Sequence, residues 1–203
     1  MNYNNVKLVF TCRLIMCIMI VIGIDPGIKN LGWSVYDTER CHFLSFGRYD
    51  LTKDQPKNKH TRYADLVKDF IDASRDVFAM ADAVAIEMQM MARFKVIETA
   101  FQCFFYEKAH RVSMRSVRCH FDISTKKYST NKKASIEIVP SLKISSQNKQ
   151  WFAQFDKKKR DDVADAMLLA LYWAEKKAPD AKIVPKKRKR KAVREKVSKK
   201  SKT

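Results

Sequence analysis

Asp162 and Asp165 stand one helical turn apart, directly after Lys157, Lys158, Lys159 and Arg160 and just before the apolar run 166–171. Side chains three apart on a helix share a face, so both carboxylates must point the same way at the head of a segment otherwise fit for burial. Two such charges repel each other unless a cation lies between them. The pattern recurs twice upstream, where an apolar run at 17–24 is followed by Asp25 and another at 83–86 by Glu87. Four acids at the ends of apolar elements imply a divalent-metal site and a fold that gathers those ends.

At 203 residues the chain suits one domain of ordinary size plus a tail. We divide it into an N-terminal extension (1–16), a folded domain (17–178) and a basic disordered tail (179–203). The formal net charge of +19 favours a polyanionic partner, nucleic acid above all. Residues 182–203 hold twelve basic residues and one acid, so the domain that precedes them is basic as well. Six consecutive cations at 186–191 offer too little apolar surface to fold alone, and read as a nuclear-import signal or a non-specific DNA grip.

Five scattered cysteines without a C-x-x-C pair suggest neither a disulfide framework nor a zinc site, and fit a reducing intracellular compartment. Lys7 and Arg13 interrupt the apolar stretch 6–24 and no small-residue cleavage site follows, which argues against export and a membrane anchor. Asp25-Pro26-Gly27 could open the phosphate loop of an actin-like nucleotide-binding fold. A second phosphate-binding glycine loop is missing, with only four glycines in all, so no small-molecule cofactor is expected.

Along the chain, residues 18–24 form a continuous β-branched run expected as a central strand buried on both faces. Leu31, Trp33 and Val35 then alternate with Gly32, Ser34 and Tyr36, and a polar turn at 37–40 leads into 41–49, an antiparallel hairpin or meander. From Thr61 the spacing of Tyr63, Leu66, Val67, Phe70, Ile71, Ser74, Val77 and Phe78 becomes that of one amphipathic helix. A strand at 83–87 follows. Phe94, Ile97, Ala100, Phe101, Phe104 and Phe105 mark a second helix ending near His110-Arg111, and Val117, Cys119, Phe121 and Ile123 alternate as a further strand. Residues 124–160 read as a basic, partly helical insertion. The last helix, from Asp162 to about Lys177, carries its acids in the first turn, where the helix dipole favours anions. This order describes an α/β layer, a mixed sheet covered by helices.

Phosphodiester hydrolysis needs a water activated near neutral pH and relief of charge on the leaving alkoxide. Two divalent ions about 4 Å apart supply both when carboxylates hold them. Asp25, Glu87, Asp162 and Asp165 are the expected ligands, and a hard-oxygen set without His or Cys favours magnesium, with manganese a substitute.

The stretch Ile22-Gly23-Ile24-Asp25-Pro26-Gly27-Ile28-Lys29-Asn30-Leu31-Gly32, with Asp162-Val163-Ala164-Asp165-Ala166 far downstream, resembles the RuvC-type Holliday junction resolvases of the RNase H-like superfamily. Ile86-Glu87-Met88-Gln89 with Arg93, and the Lys-rich lead into Asp-Asp-x-x-Asp, look closer to the resolvases of poxviruses and other large DNA viruses and to the mitochondrial branch. The resemblance spans 17–177. It implies an RNase H-like mixed five-stranded sheet flanked by helices, with Asp25, Glu87, Asp162 and Asp165 as catalytic metal ligands. It also implies a lysine upstream of the last helix, matched by Asn131-Lys132-Lys133-Ala134, with Lys132 slightly favoured over Lys133. Lys29, Arg93 and the lead Lys157, Lys158, Lys159 and Arg160 would meet DNA. A symmetric dimer would nick two like strands of a four-way junction, and the apolar face 94–105 is either its dimer surface or simple core. Such an enzyme would work in the nucleus or at a viral replication site in the cytoplasm. Three rivals stay open: a ribonuclease H or exonuclease on the same fold, a non-catalytic architectural DNA-binding protein, and the actin-like fold.

Overall fold

The computed structural model describes residues 19–53, 62–156 and 159–177; the extension 1–16, the tail 179–203, Lys157 and Lys158 lie outside them. Three antiparallel strands open the domain: β1 (Ile20–Asp25), β2 (Leu31–Asp37) and β3 (His42–Tyr49). The helices α1 (Tyr63–Ala73) and α2 (Arg75–Ala79) lead to β4 (Ala83–Glu87), which pairs with β1 in parallel. Next come α3 (Ala92–Phe104), β5 (Ala109–Val112), α4 (Met114–His120), α5 (Tyr128–Ile138), a 3-10 turn (Val139–Ser141), α6 (Ser146–Gln154) and α7 (Arg160–Lys177). The strands form one mixed five-stranded sheet in the order β3-β2-β1-β4-β5, an RNase H-like α/β arrangement with helices on both faces.

Strand alternation divides the core. Ile22, Ile24, Val35, Val84 and Ile86 face α1 and α3, where Leu66, Phe70, Ile97 and Phe101 are buried. Val21, Tyr36, Ala83 and Ala85 face the opposite layer, built on Val163, Met167, Leu168 and Leu171 of α7. Gly23, Asp25, Gly32 and Ser34 share that second face, since Gly23 pairs with Ser34 and Asp25 with Gly32. A Cβ on Gly23 would lie 2.0 Å from the Ala166 carbonyl oxygen, and one on Gly32 would lie 2.2 Å from that of Asp162. Both glycines let the backbone of α7 settle directly on the sheet. The Ser34 hydroxyl donates to the Ala166 carbonyl at 2.9 Å and pins the helix there.

Three sequence expectations change. The strand expected at 117–123 is helical: Met114, Val117 and Phe121 are buried at helical spacing while Cys119 is exposed, so the alternation was half of a 3.6-residue period. The strand in this part of the chain is β5, a four-residue edge strand where the second helix was expected to end; only Val112 is buried, too little to show a period. The single helix expected over 63–78 breaks at Ser74 (φ −117°) into α1 and α2.

The basic insertion docks on the edge of β3. Asn148, fully buried on α6, accepts from the Phe43 N–H at 2.9 Å and donates to the Phe43 carbonyl at 2.9 Å, as a neighbouring strand would. Among the described residues no helix is long and apolar enough to cross a membrane.

Candidate metal centre and active site

The parallel pairing of β1 and β4 runs through Ile24 and Ile86, so Asp25 and Glu87, each the next residue, emerge side by side at the strand ends. The first turn of α7 lies above this point because Gly32 admits the Asp162 backbone, and it delivers Asp162 and Asp165 to the same place. All four acids line one cleft of about 580 Å³, together with Lys29, Arg93, Arg118 and Lys132. The structure thus brings together the three segments whose acids stood out in the sequence.

The electrostatics are those of crowded negative charge. Asp25 keeps an opening to the cleft but is otherwise enclosed by protein; burial raises its carboxyl well above the usual range, and the adjacent Glu87 charge, a hydrogen bond shared with Glu87, and Asp165 and Asp162 push it further. Asp162 is raised from 3.8 to about 6, by burial first and by Asp161 second, against the attraction of Lys132. Asp165, with a side chain 9% exposed, is raised to about 6 by burial, opposed by Arg118 and the Ser135 hydroxyl. Such shifts mark buried and only partly compensated negative charge, of the kind that clusters at functional sites.

Protein groups partly satisfy two of these acids, and the neighbouring Asp161 as well. Arg118 Nη2 donates to Asp165 Oδ2 at 3.0 Å, Gln89 Nε2 to Glu87 Oε2 at 3.1 Å, and Lys132 Nζ to Asp161 Oδ2. The loop after Glu87 is itself fixed by Glu98, which is fully buried on α3. Glu98 accepts from the Gln89 N–H (2.8 Å), from Lys95 (2.9 Å) and from Arg111 (2.6 Å). Among the described residues no group of three or more His, Cys, Asp or Glu stands close enough together to hold a metal ion as it is.

The donor set nevertheless fits a hard divalent cation. All four acids offer carboxylate oxygens, three of them have raised pKa values through burial first and neighbouring negative charge after it, and the buried Asp165 Oδ1 has no hydrogen-bond partner.

The expected DNA-contacting residues divide. Lys29 and Arg93 are exposed and line the cleft, with Arg93 4.7 Å over the ring of Phe94. Lys132 lines the cleft wall on α5, whereas Lys133 is 77% exposed and pairs with Glu137 at 3.6 Å on the same helix. Lys159 is exposed just before α7. Arg160 does not line the cleft. Its guanidinium donates to the carbonyls of Phe155 (2.6 Å) and Ala153 (2.8 Å) and ties the end of α6 to the start of α7. Lys157 and Lys158 lie outside the described residues. Sequence reasoning missed Arg118, Ser135, Asp161 and Glu98. The first two fall in segments whose period was misread or weak, so nothing assigned them a face.

No match was found among curated proteins. Among solved structures, the chain is similar to the fowlpox virus resolvase crystallised with Holliday junction DNA, at 21% identity and a TM-score of 0.55, covering 78% of this chain and 98% of that one. It is also similar to the yeast mitochondrial Holliday junction resolvase, at 19% identity and a TM-score of 0.58, covering 76% and 78% respectively. Both likenesses support the fold. The family model described as the Poxvirus A22 protein matches residues 19–177, nearly the whole described domain, and this chain therefore belongs to the poxvirus A22 protein family.

Proposed function

We propose that this chain is a magnesium-dependent, structure-selective endonuclease that cuts four-way (Holliday) and other branched DNA by phosphodiester hydrolysis. The observation that carries the reading is the convergence of Asp25, Glu87, Asp162 and Asp165 in one cleft walled by exposed and half-buried cations. Its kinship with the A22 family supports the substrate class, as does its likeness to a fowlpox virus resolvase and a mitochondrial Holliday junction resolvase.

Asp25, Glu87, Asp162 and Asp165 would hold the metal, with Mn2+ an acceptable substitute. When bound, divalent ions neutralise charge on the phosphate and lower the pKa of water. The chain supplies the rest. Lys29 and Arg93, exposed at the rim, hold phosphates on either side of the cut. Lys132 Nζ, held at the wall by Asp161, directs positive charge at the phosphate being cut. The seat of α7 on Gly23, Gly32 and Ser34 fixes the helix backbone that carries Asp162 and Asp165 against the strand that carries Asp25, so side-chain turns alone remain to close the acids on a cation.

The enzyme acts as a symmetric dimer, because a two-fold junction is matched by a two-fold protein. On α3, Ile97, Ala100 and Phe101 are core, while Val96 and Phe104 are each 46% exposed and offer the apolar surface for pairing.

The test is to incubate the chain and magnesium with labelled four-way junction, linear duplex and DNA–RNA hybrid, and to measure its mass in solution. Paired nicks across the junction by a dimer are expected. Preferential cutting of the hybrid would overturn the assignment in favour of a ribonuclease H activity.

A further inference from the structure

Five buried side-chain atoms among the described residues lack a hydrogen-bond partner, and three of them belong to residues grouped around Asp165: Arg118 Nε, Ser135 Oγ and Asp165 Oδ1. They come from three helices. Arg118 projects from α4, Ser135 from α5 and Asp165 from α7. Arg118 and Asp165 are paired at 3.0 Å with side chains only 11% and 9% exposed. A buried guanidinium is costly unless its charge and donors are used. Here one amino group is committed to Asp165 Oδ2 while Nε is left over. The Ser135 hydroxyl lies close enough to the Asp165 carboxylate to favour its charge, yet neither it nor Oδ1 completes a well-formed hydrogen bond. Ser135 is one turn beyond Lys132 on α5, so the two share a helix face, with Lys132 lining the cleft and Ser135 fully buried.

We propose that Arg118 and Ser135 are positioning residues for Asp165. Arg118 takes Oδ2 and stops the carboxylate from rotating, so that Asp165 offers one oxygen, Oδ1, to the divalent cation. Ser135 steers that oxygen through a hydroxyl that can turn toward it or away without moving the backbone. Asp165 would then meet the cation with its carboxylate already oriented by the protein before DNA binds. Outer partners of this kind change metal affinity or activity by roughly 10- to 100-fold when removed.

The inference rests on the proposed nuclease reading, and the experiment separates the two. Mn2+ binding to the full chain is followed by electron paramagnetic resonance, junction affinity is measured in EDTA, and single-turnover nicking is measured in magnesium, for the wild type, Arg118→Met, Arg118→Lys and Ser135→Ala. Arg118→Met is expected to weaken Mn2+ binding and slow nicking by about 10-fold or more, and Ser135→Ala by several-fold, with junction affinity unchanged. Arg118→Lys keeps the charge but not the fork, and recovers part of the loss. Should Arg118→Met fail to fold, Ser135→Ala, a small change in a helix, carries the test alone. Wild-type Mn2+ affinity and nicking in Ser135→Ala and in a folded Arg118→Met would overturn the inference. A wild-type chain that neither binds Mn2+ nor nicks would overturn the nuclease reading instead.

Discussion

Gly32→Ala is the substitution that most directly probes how α7 delivers its acids. The added Cβ would stand 2.2 Å from the Asp162 carbonyl oxygen, 2.8 Å from its carbonyl carbon and 3.3 Å from Asp25 Cβ. Carbon and oxygen touch comfortably at about 3.3 Å, so the first turn of α7 must lift by roughly 1 Å. The obstructing atoms are backbone, and no rotamer change can absorb the clash. The strain costs about 1–3 kcal/mol of stability, a fall in Tm of about 3–10 °C for a domain of this size. Because Asp162 and Asp165 ride on that turn, a 1 Å displacement should also slow nicking about 100-fold. Junction binding, assigned by the proposal to Lys29, Arg93 and overall charge, should change little.

The assay is single-turnover cleavage of a labelled four-way junction, with thermal melting alongside and Gly47→Ala as control. A Cβ on Gly47 would come no closer than 3.2 Å, to the Trp33 side chain, which packs with the core on the α1 and α3 side of the sheet. Full activity and an unchanged Tm in Gly32→Ala would refute the seating of α7 on β2.

Acidity should report on the same site. Asp165 binds a proton more tightly folded (pKa about 6) than at its ordinary 3.8, so its favourable contribution is complete below 3.8 and lost as pH rises through about 6, some 3 kcal/mol in all. Urea denaturation in EDTA should therefore show wild type losing stability relative to Asp165→Asn between pH 4 and 7; parallel profiles would contradict the assigned burial. Lys132→Met should slow nicking by about 10²–10³-fold with junction binding retained. Lys133→Met, on the exposed side of α5, should nick at the wild-type rate, and the reverse pattern would exchange their roles. Asn148→Ala strands the buried N–H and carbonyl of Phe43 and should cost about 2–5 kcal/mol in urea denaturation. A loss below 1 kcal/mol would mean that α6 does not close the edge of β3.

The elements that carry the acids were the legible ones. The stretch before Asp25 and the one before Glu87 are buried on both faces as central strands, and such strands show as unbroken apolar runs. Asp165 betrayed itself because a charge ahead of an almost fully buried helix needs a partner. Pairing of β1 with β4 was not read from the sequence, since strand neighbours are set by long-range contacts that periodicity does not encode. Segment 109–123 was misread for a related reason: β5 is short and at the edge, and α4 is a two-turn helix whose buried Val117 and Phe121 satisfy both periods. Arg118 went unseen with it. Arg160 was expected at DNA from its basic company, and its bonds to two neighbouring carbonyls, which use part of a guanidinium's five donors, were not readable from the sequence.

Nicking of a four-way junction by the wild type and by Asp25→Asn, each in magnesium and in EDTA, bears most directly on the four-acid cleft. The account predicts paired nicks only from wild type in magnesium, with Asp25→Asn still shifting the junction in a binding gel. Cleavage that persists in EDTA, or proceeds equally in Asp25→Asn, would contradict it.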